Sequence, residues 1–289
     1  MKFTKMHGSL NDYAVIDGRT LDHPWGDLAS QVCNRRTGIG ADGILVVLAS
    51  TVADIRMGMF NPDGSEAEMC GNGIRCFTKF VLERGIVDAQ KTQILIETLS
   101  GTKSVRPIWE SGRVMGALVN MGQAGLTPSE IPVLIPNDIG NGPILDYPLS
   151  TPDGSALKLT FVSMGNPHAV AFTDQPVKEF PLESIGPIIE HHNIFPNRVN
   201  FSIVNVKSQT SLSARVWERG AGETQACGTG ACAIAVASKI LGYTAENVQV
   251  ELPGGTLDIT VDNANGILMQ GPAEEVFEGE WNYITRGHQ

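Results

Sequence analysis

The sequence lacks the features that mark several whole classes of protein. No apolar run reaches the roughly 18–20 residues needed to cross a bilayer as a helix. The opening residues, MKFTKM, alternate like a strand and contain no signal-peptide core. These absences predict a cytoplasmic protein with no membrane partner. Positive charge is scarce as well: 21 Lys and Arg against 31 Asp and Glu leave a formal charge of −10 over 289 residues. That balance argues against nucleic acid as a partner but leaves a small zwitterionic molecule open. Cysteine occurs five times, an odd number scattered through a mid-sized chain, which does not suit a disulfide framework. Every thiol is then available for chemistry. The glycine-rich stretches have neither the Lys-Ser/Thr of a P-loop nor the strand-GxGxxG-helix of a dinucleotide site.

What is present is one segment written twice. FNPDGSEAEMCGNG (residues 60–73) lies without a gap over WERGAGETQACGTG (217–230), so that Cys70-Gly-x-Gly matches Cys227-Gly-x-Gly. Upstream, MKFTKMHG (1–8) resembles LKLTFVSMG (157–165), and Ala14-Val15 recurs as Ala169-Val170. Downstream, ILIETLSGT (94–102) resembles VQVELPGGT (248–256). Three blocks in the same order at nearly the same spacing indicate an internal duplication. The first repeat spans residues 1–122, with a candidate completing strand within 274–285, and the second spans 156–273. Between them, 123–155 carries prolines at 128, 132, 136, 143, 148 and 152, a density that predicts a connector with little regular structure.

Within each repeat the hydrophobic period is mostly two, which predicts strands over 44–49, 54–60, 93–98 and 113–119, then over 169–173, 199–206, 212–217 and 256–261. Each repeat has one clear helix, starting at its Cys-Gly-x-Gly. The first places Ile74, Phe77, Phe80 and Val81 at helical spacing and stops at Gly85; the second, ACAIAVASKIL (231–241), is apolar nearly all round and stops at Gly242. The fold class is α+β: two pseudo-symmetric domains, each a mostly antiparallel sheet or roll wrapped round a central buried helix.

Two cysteines at two helix starts form a chemical arrangement. A helix N-terminus offers unpaired N–H groups and about half a positive charge, which lowers a thiol pKa and makes thiolate accessible near neutrality. The glycines let an anion approach the backbone, so a carboxylate can sit on the same N–H groups. One motif supplies a base and a carboxylate cradle; two motifs facing each other supply a base on each side of one carbon. Inversion at an amino-acid α-carbon requires that geometry. Cys33, Cys76 and Cys232 read as small buried hydrophobes. A metal site on Cys70-x5-Cys76 and Cys227-x4-Cys232 has the wrong spacing for a zinc knuckle.

The motifs KMHG (5–8) with Asn11-Asp12, RRTGIGADG (35–43), NPDGSEAEMCGNGIRC (61–76), MGNPHAV (164–170), RVN (198–200) and WERGAGETQACGTGACA (217–233) closely resemble diaminopimelate epimerases. The resemblance covers nearly the whole chain. It implies Cys70 and Cys227 as the acid/base pair, with Gly71-Asn72 and Gly228-Thr229 giving backbone contacts to the reacting carboxylate. Asn11, Asn61, Asn166, Asn200 and Arg219 would bind substrate; Glu218 would hold an ammonium and, with His168, influence the thiol pKa values. The reaction implied is epimerisation of LL-2,6-diaminopimelate to the meso form, in lysine and peptidoglycan precursor synthesis. No cofactor, metal, pyridoxal or nucleotide is implied, and a homodimer is. The repeat sets Asn61 against Glu218, so the symmetry is broken where an asymmetric substrate must be read. One departure is Ser9-Leu10, where the family usually has Leu-Gly. Blander readings stand beside these: Asn61-Pro62-Asp63-Gly64 makes a good turn by itself, His168 follows Pro167 at a strand start, and Glu218-Arg219 suits a surface pair. Two other functions also stay open, a different amino-acid racemase and a binding protein with inert thiols.

Overall fold

The structure, a computed structural model, describes residues 1–135, 140–150, 156–262 and 264–282. The chain divides into two compact units: Met1–Val119 together with the chain from Gly271 onward, and Asn120–Gln270.

In the first unit the elements run β1 (Lys2–Gly8), β2 (Asn11–Asp17), α1 (Trp25–Val32), β3 (Gly43–Leu48), β4 (Ile55–Phe60), α2 (Gly71–Glu83), β5 (Ile94–Thr98), β6 (Gly101–Glu110) and β7 (Arg113–Asn120). The second has β8 (Tyr147–Ser150), β9 (Ala156–Ser163), β10 (Pro167–Phe172), α3 (Leu182–Glu190), β11 (Asn200–Ser208) and β12 (Ser211–Glu218). It continues with β13 (Gly222–Thr224), α4 (Gly228–Ile240), β14 (Asn247–Leu252), β15 (Gly255–Asp262) and β16 (Gly266–Pro272), after which β17 (Glu274–Glu280) returns to the first unit.

The duplication is visible in the pairing. In the first unit neighbours run β17-β1-β2-β3-β4-β5-β6-β7, parallel only at β2–β3 and β4–β5. In the second they run β8-β9-β10-β11-β12-β14-β15-β16, parallel only at β10–β11 and β12–β14. Parallel neighbours need a long crossover, and the helices fill those crossovers: α1 and α3 in the first of each, α2 and α4 in the second. Register equivalence is close. Tyr13 pairs with Gly43 as His168 pairs with Asn200, so Tyr13 corresponds to His168 and Asn11 to Asn166.

Each sheet is covered on both faces, which is why β3 reads as an unbroken apolar run, GILVVL. Ala14, Ile16, Ile44 and Val46 pack on Leu28, Ala29 and Val32 of α1. Tyr13 and Leu45, at intervening positions, face the start of α2. The central helices are almost wholly buried, from Gly71 to Leu82 in α2 and at ten positions in α4, and each touches several strands of its own sheet.

The structure adds to two expectations. Among the described residues each unit has a second α-helix besides the central one. Helix α3 escapes the sequence reading because Gly186-Pro187 lies inside it, and α1 is only 8 residues long with no side-chain N-cap. The proline-rich stretch 123–155 is more than a connector: it forms β8 and sends Ile131, Val133, Ile144 and Leu149 into the core beside α3. Prolines 136 and 152 lie outside the described residues, as do 283–285 of the tail that contributes β17 to β1.

Candidate active site

Both cysteines sit at the N-cap of a central helix in extended backbone, Cys70 at φ −127°, ψ 129° and Cys227 at φ −116°, ψ 111°. Their carbonyls accept the first helical bonds, from Ile74 and Ala231. The second glycine of each motif is explained by close approach. A Cβ on Gly73 would meet Leu45 Cδ2 at 3.2 Å, Tyr13 Cζ at 3.4 Å and Cys70 Cβ at 3.6 Å. A Cβ on Gly230 would meet Cys227 Cβ at 3.1 Å and its sulfur at 3.2 Å. Any larger residue would push the sulfur or its partners off the helix start. Gly71, Asn72 and Gly228 are buried in the first turns and Thr229 is half-buried, so the backbone cradle and the thiol occur together in each unit.

Around Cys70 the partners come from the β1–β2 hairpin and the RRTGIGADG motif. The Tyr13 hydroxyl lies 3.0 Å from Cys70 Sγ and also within hydrogen-bond reach of Asn11 Oδ1. That same Asn11 oxygen is 3.6 Å from Cys70 Sγ and 3.4 Å from Asn72 Nδ2. The amide is oriented from behind, its Nδ2 donating to Asp42 Oδ2 at 2.8 Å. Asp42 is bonded to Arg35 at 2.7 Å, and Arg35 with buried Lys5 clasps Asp12. Burial works against the Asp12 charge, but bonds from Arg35, Lys5 and the Asp42 pair outweigh it and hold its carboxyl down to about 2. Asn61 is not among these groups: its Nδ2 donates to Ser65 Oγ at 3.0 Å within its own turn.

Around Cys227 a different relay forms. His168 donates from Nε2 to Asn166 Oδ1 at 3.0 Å, and Asn166 Nδ2 donates to Thr229 Oγ1 at 3.3 Å. The Thr229 hydroxyl, its lone pair so used, can offer its proton to Cys227 Sγ at 3.5 Å. Gly230 N–H also donates to the sulfur, at 3.4 Å. Burial, with the charge of Arg219 nearby, pushes His168 down to about 3, so its ring is neutral. Asn200 bridges Pro167 O and Arg219 N, both at 2.9 Å.

Here the electrostatics correct the sequence argument. Helix position alone predicts a lowered thiol pKa, yet the Cys227 thiol is raised well above its ordinary value. Burial is the largest cause and the Glu218 carboxylate the next, outweighing the lowering by Thr229 and Gly230. Glu218 itself accepts from Thr224 Oγ1 at 2.5 Å. Arg219 is exposed, and its guanidinium donates to Asn197 O at 2.9 Å, so the two are not a surface ion pair with each other. Cys33, Cys76 and Cys232 are all buried, and burial pushes the first two up to about 12. Among the described residues no three His, Cys, Asp or Glu side chains converge as metal ligands.

The diaminopimelate epimerase family model matches residues 3–127 and 160–276. A diaminopimelate epimerase of Desulfovibrio desulfuricans is 48% identical over 97% of this chain and 98% of that one. One of Moorella thermoacetica is 48% identical over 97% and 99%. The chain belongs to the diaminopimelate epimerase family. It is therefore an isomerase. The fold extends beyond the family. A phenazine biosynthesis protein of Bacillus anthracis superposes with TM-score 0.69 at 18% identity, over 98% of this chain and 99% of that one. A probable proline racemase of Agrobacterium radiobacter superposes with TM-score 0.68 at 14% identity, over 99% and 94%.

Sequence reasoning missed four members of the site. Tyr13 looked like an ordinary strand residue, although the repeat alignment sets it opposite His168. Asp42 and Arg35 lie in a motif quoted for resemblance alone. Glu190 escaped as part of the unread helix. Its buried carboxylate accepts from Trp217 Nε1 at 2.8 Å and Gly220 N at 2.9 Å, gripping the turn that carries Glu218 and Arg219. No helix among the described residues is long and apolar enough to cross a membrane.

Proposed function

We propose that this chain converts LL-2,6-diaminopimelate to meso-diaminopimelate with Cys70 and Cys227 as its only acid and base and with no cofactor. The observation that carries the proposal is the repetition itself: an N-cap cysteine on a cradle of helix N–H groups, at the same topological point of two equivalent units. One sulfur, as thiolate, takes the α-proton. The electron pair left on carbon delocalises into the carboxylate, where the N–H groups of Gly71-Asn72 and Gly228-Thr229 stabilise it. The other sulfur, as thiol, delivers its proton to the opposite face, so each turnover exchanges the roles of the two cysteines. Asn11, Asn61, Asn166, Asn200 and Arg219 hold the substrate, and Glu218 holds an ammonium. We place the activity in the cytoplasm, in lysine and peptidoglycan precursor synthesis, with the protein as a homodimer. In deuterated water, LL-diaminopimelate should gain α-deuterium as the meso form appears. Dialysis against a chelator and treatment with a carbonyl reagent should leave the rate unchanged. Loss of exchange after either treatment would remove the cofactor-free reading.

A further inference from the structure

We propose that Tyr13 is a positioning residue for Cys70, its hydroxyl changing hydrogen-bond acceptor as the cysteine changes protonation state. The inference rests on the two-thiol reading above, and begins from a conflict of proton count. Tyr13 has one hydroxyl proton and two acceptors within reach, Asn11 Oδ1 and Cys70 Sγ. When Cys70 is a thiol, the Tyr13 proton goes to Asn11 Oδ1. When Cys70 is a thiolate, the proton swings to the sulfur, and Asn11 Oδ1 keeps Asn72 Nδ2 as a donor. No proton leaves Tyr13 in either state; only the O–H bond rotates. A hydrogen bond given to the charged form favours that form, so the swing stabilises the thiolate when it is formed.

Three features fit the role. Asn11 cannot turn its amide over to offer N–H groups to the sulfur, because Asp42 accepts from its Nδ2 and Arg35 holds Asp42. The ring of Tyr13 is fixed between the sheet and the helix start, where Gly73 leaves it room. Burial first, then the neighbouring Cys70, Cys76 and Asp42, push the Tyr13 hydroxyl well above its ordinary value, so it stays a donor and does not act as a base. The same position in the other unit is His168, likewise buried and likewise bonded to the paired asparagine. The duplication thus puts a proton-bearing ring behind each cysteine, but only Tyr13 reaches the sulfur directly.

The test is Tyr13→Phe, which keeps the ring and removes the donor. The pH midpoint for alkylation of Cys70, mapped by mass spectrometry, should rise by about one unit, with Cys227 as internal control unmoved. kcat should fall roughly tenfold, with KM nearly constant. An unchanged Cys70 midpoint in the folded variant overturns the proposal. Should the Phe variant fail to fold, replacing tyrosine by 3-fluorotyrosine strengthens the donor and should lower the Cys70 midpoint; no shift there overturns it equally. The parent reading fails differently, by retained turnover in Cys70→Ala, whatever the alkylation profile shows.

Discussion

The two cysteine ends are the same motif in two different settings. Cys70 is half-buried and takes its partners from outside its helix, the Tyr13 hydroxyl and Asn11. Cys227 is 4% exposed and takes its partners from inside it, the Gly230 N–H and the Thr229 hydroxyl. A helix N-terminus therefore does not by itself make a thiol acidic. At Cys227 burial and the Glu218 carboxylate oppose the helix and win. A duplicated scaffold supplies placement, while the groups that differ between the copies decide which proton each thiol prefers to hold.

The largest effect should come from removing either sulfur. Cys70→Ala and Cys227→Ala should each lower epimerisation by about 10³-fold or more, since each face has only one proton carrier. Thermal unfolding should stay close to wild type for Cys70→Ala, whose side chain is partly exposed. It should drop modestly for Cys227→Ala, which empties a buried site. If one variant keeps near-normal turnover, the two ends are not equivalent partners in one reaction.

The buried ring behind each sulfur offers a second contrast, read in stability. His168 has a folded pKa of about 3 against about 6.5 when unfolded. Between those values the unfolded chain binds the proton and the folded chain does not, so stability falls as pH drops from about 6.5 toward 3. At pH 5 that amounts to about 2 kcal/mol relative to neutral pH. Asp12, held down to about 2, contributes in the same direction but only below roughly pH 4.5. Urea unfolding at pH 7 and pH 5 should therefore show a drop that His168→Gln removes and Tyr13→Phe retains. Equal slopes in all three proteins would mean that His168 is not the group responsible.

Glu218→Gln probes the acidity of Cys227 directly. Gln keeps an oxygen for the Thr224 hydroxyl but loses the charge that raises Cys227. Alkylation of Cys227 at neutral pH should quicken by roughly tenfold, while Cys70 is unaffected. A slower or unchanged Cys227 would show that burial alone sets its acidity.

Strands such as β14 are legible from clean alternation and β3 from an unbroken apolar run, and α2 and α4 because apolar spacing begins abruptly after a Cys-Gly and ends at a glycine. Helix α3 was not, since Gly186-Pro187 contradicts its local propensity and tertiary packing overrides it. The pattern of β17 is mixed and mostly exposed, so only its pairing with β1 defines it. At the site, residue types repeated between the copies were easy to find. What stayed hidden was side-chain direction. No periodicity shows that Tyr13 turns its hydroxyl to a sulfur 57 residues away, that Asn61 bonds within its own turn, or that Arg219 points to Asn197.

The smallest effect lies in the turn that delivers each asparagine. Ser9 and Leu10 join β1 to β2 with both residues left-handed, φ 55° and 64°, as a two-residue hairpin of this twist demands. The residue before the matching Asn166 is Gly165, at φ 90°. An L-residue in that region costs about 1–2 kcal/mol, and Leu10 recovers little by packing because it is 53% exposed. Against this, glycine gives the unfolded chain about 0.4–1 kcal/mol of extra freedom. Leu10→Gly should therefore stabilise the protein by about 0.5 kcal/mol and leave the Cys70 alkylation profile where it was, because the sheet register still fixes Asn11. In the other unit the exchange runs backward: Gly165→Leu should cost about 0.5 kcal/mol by the same account, with no clash, since nothing lies within 4 Å of a Cβ there. Chemical denaturation of the two single variants and the double variant measures both terms. If Leu10→Gly is destabilising, the Leu10 side chain makes a contribution that its exposure conceals, and the two turns are not equivalent.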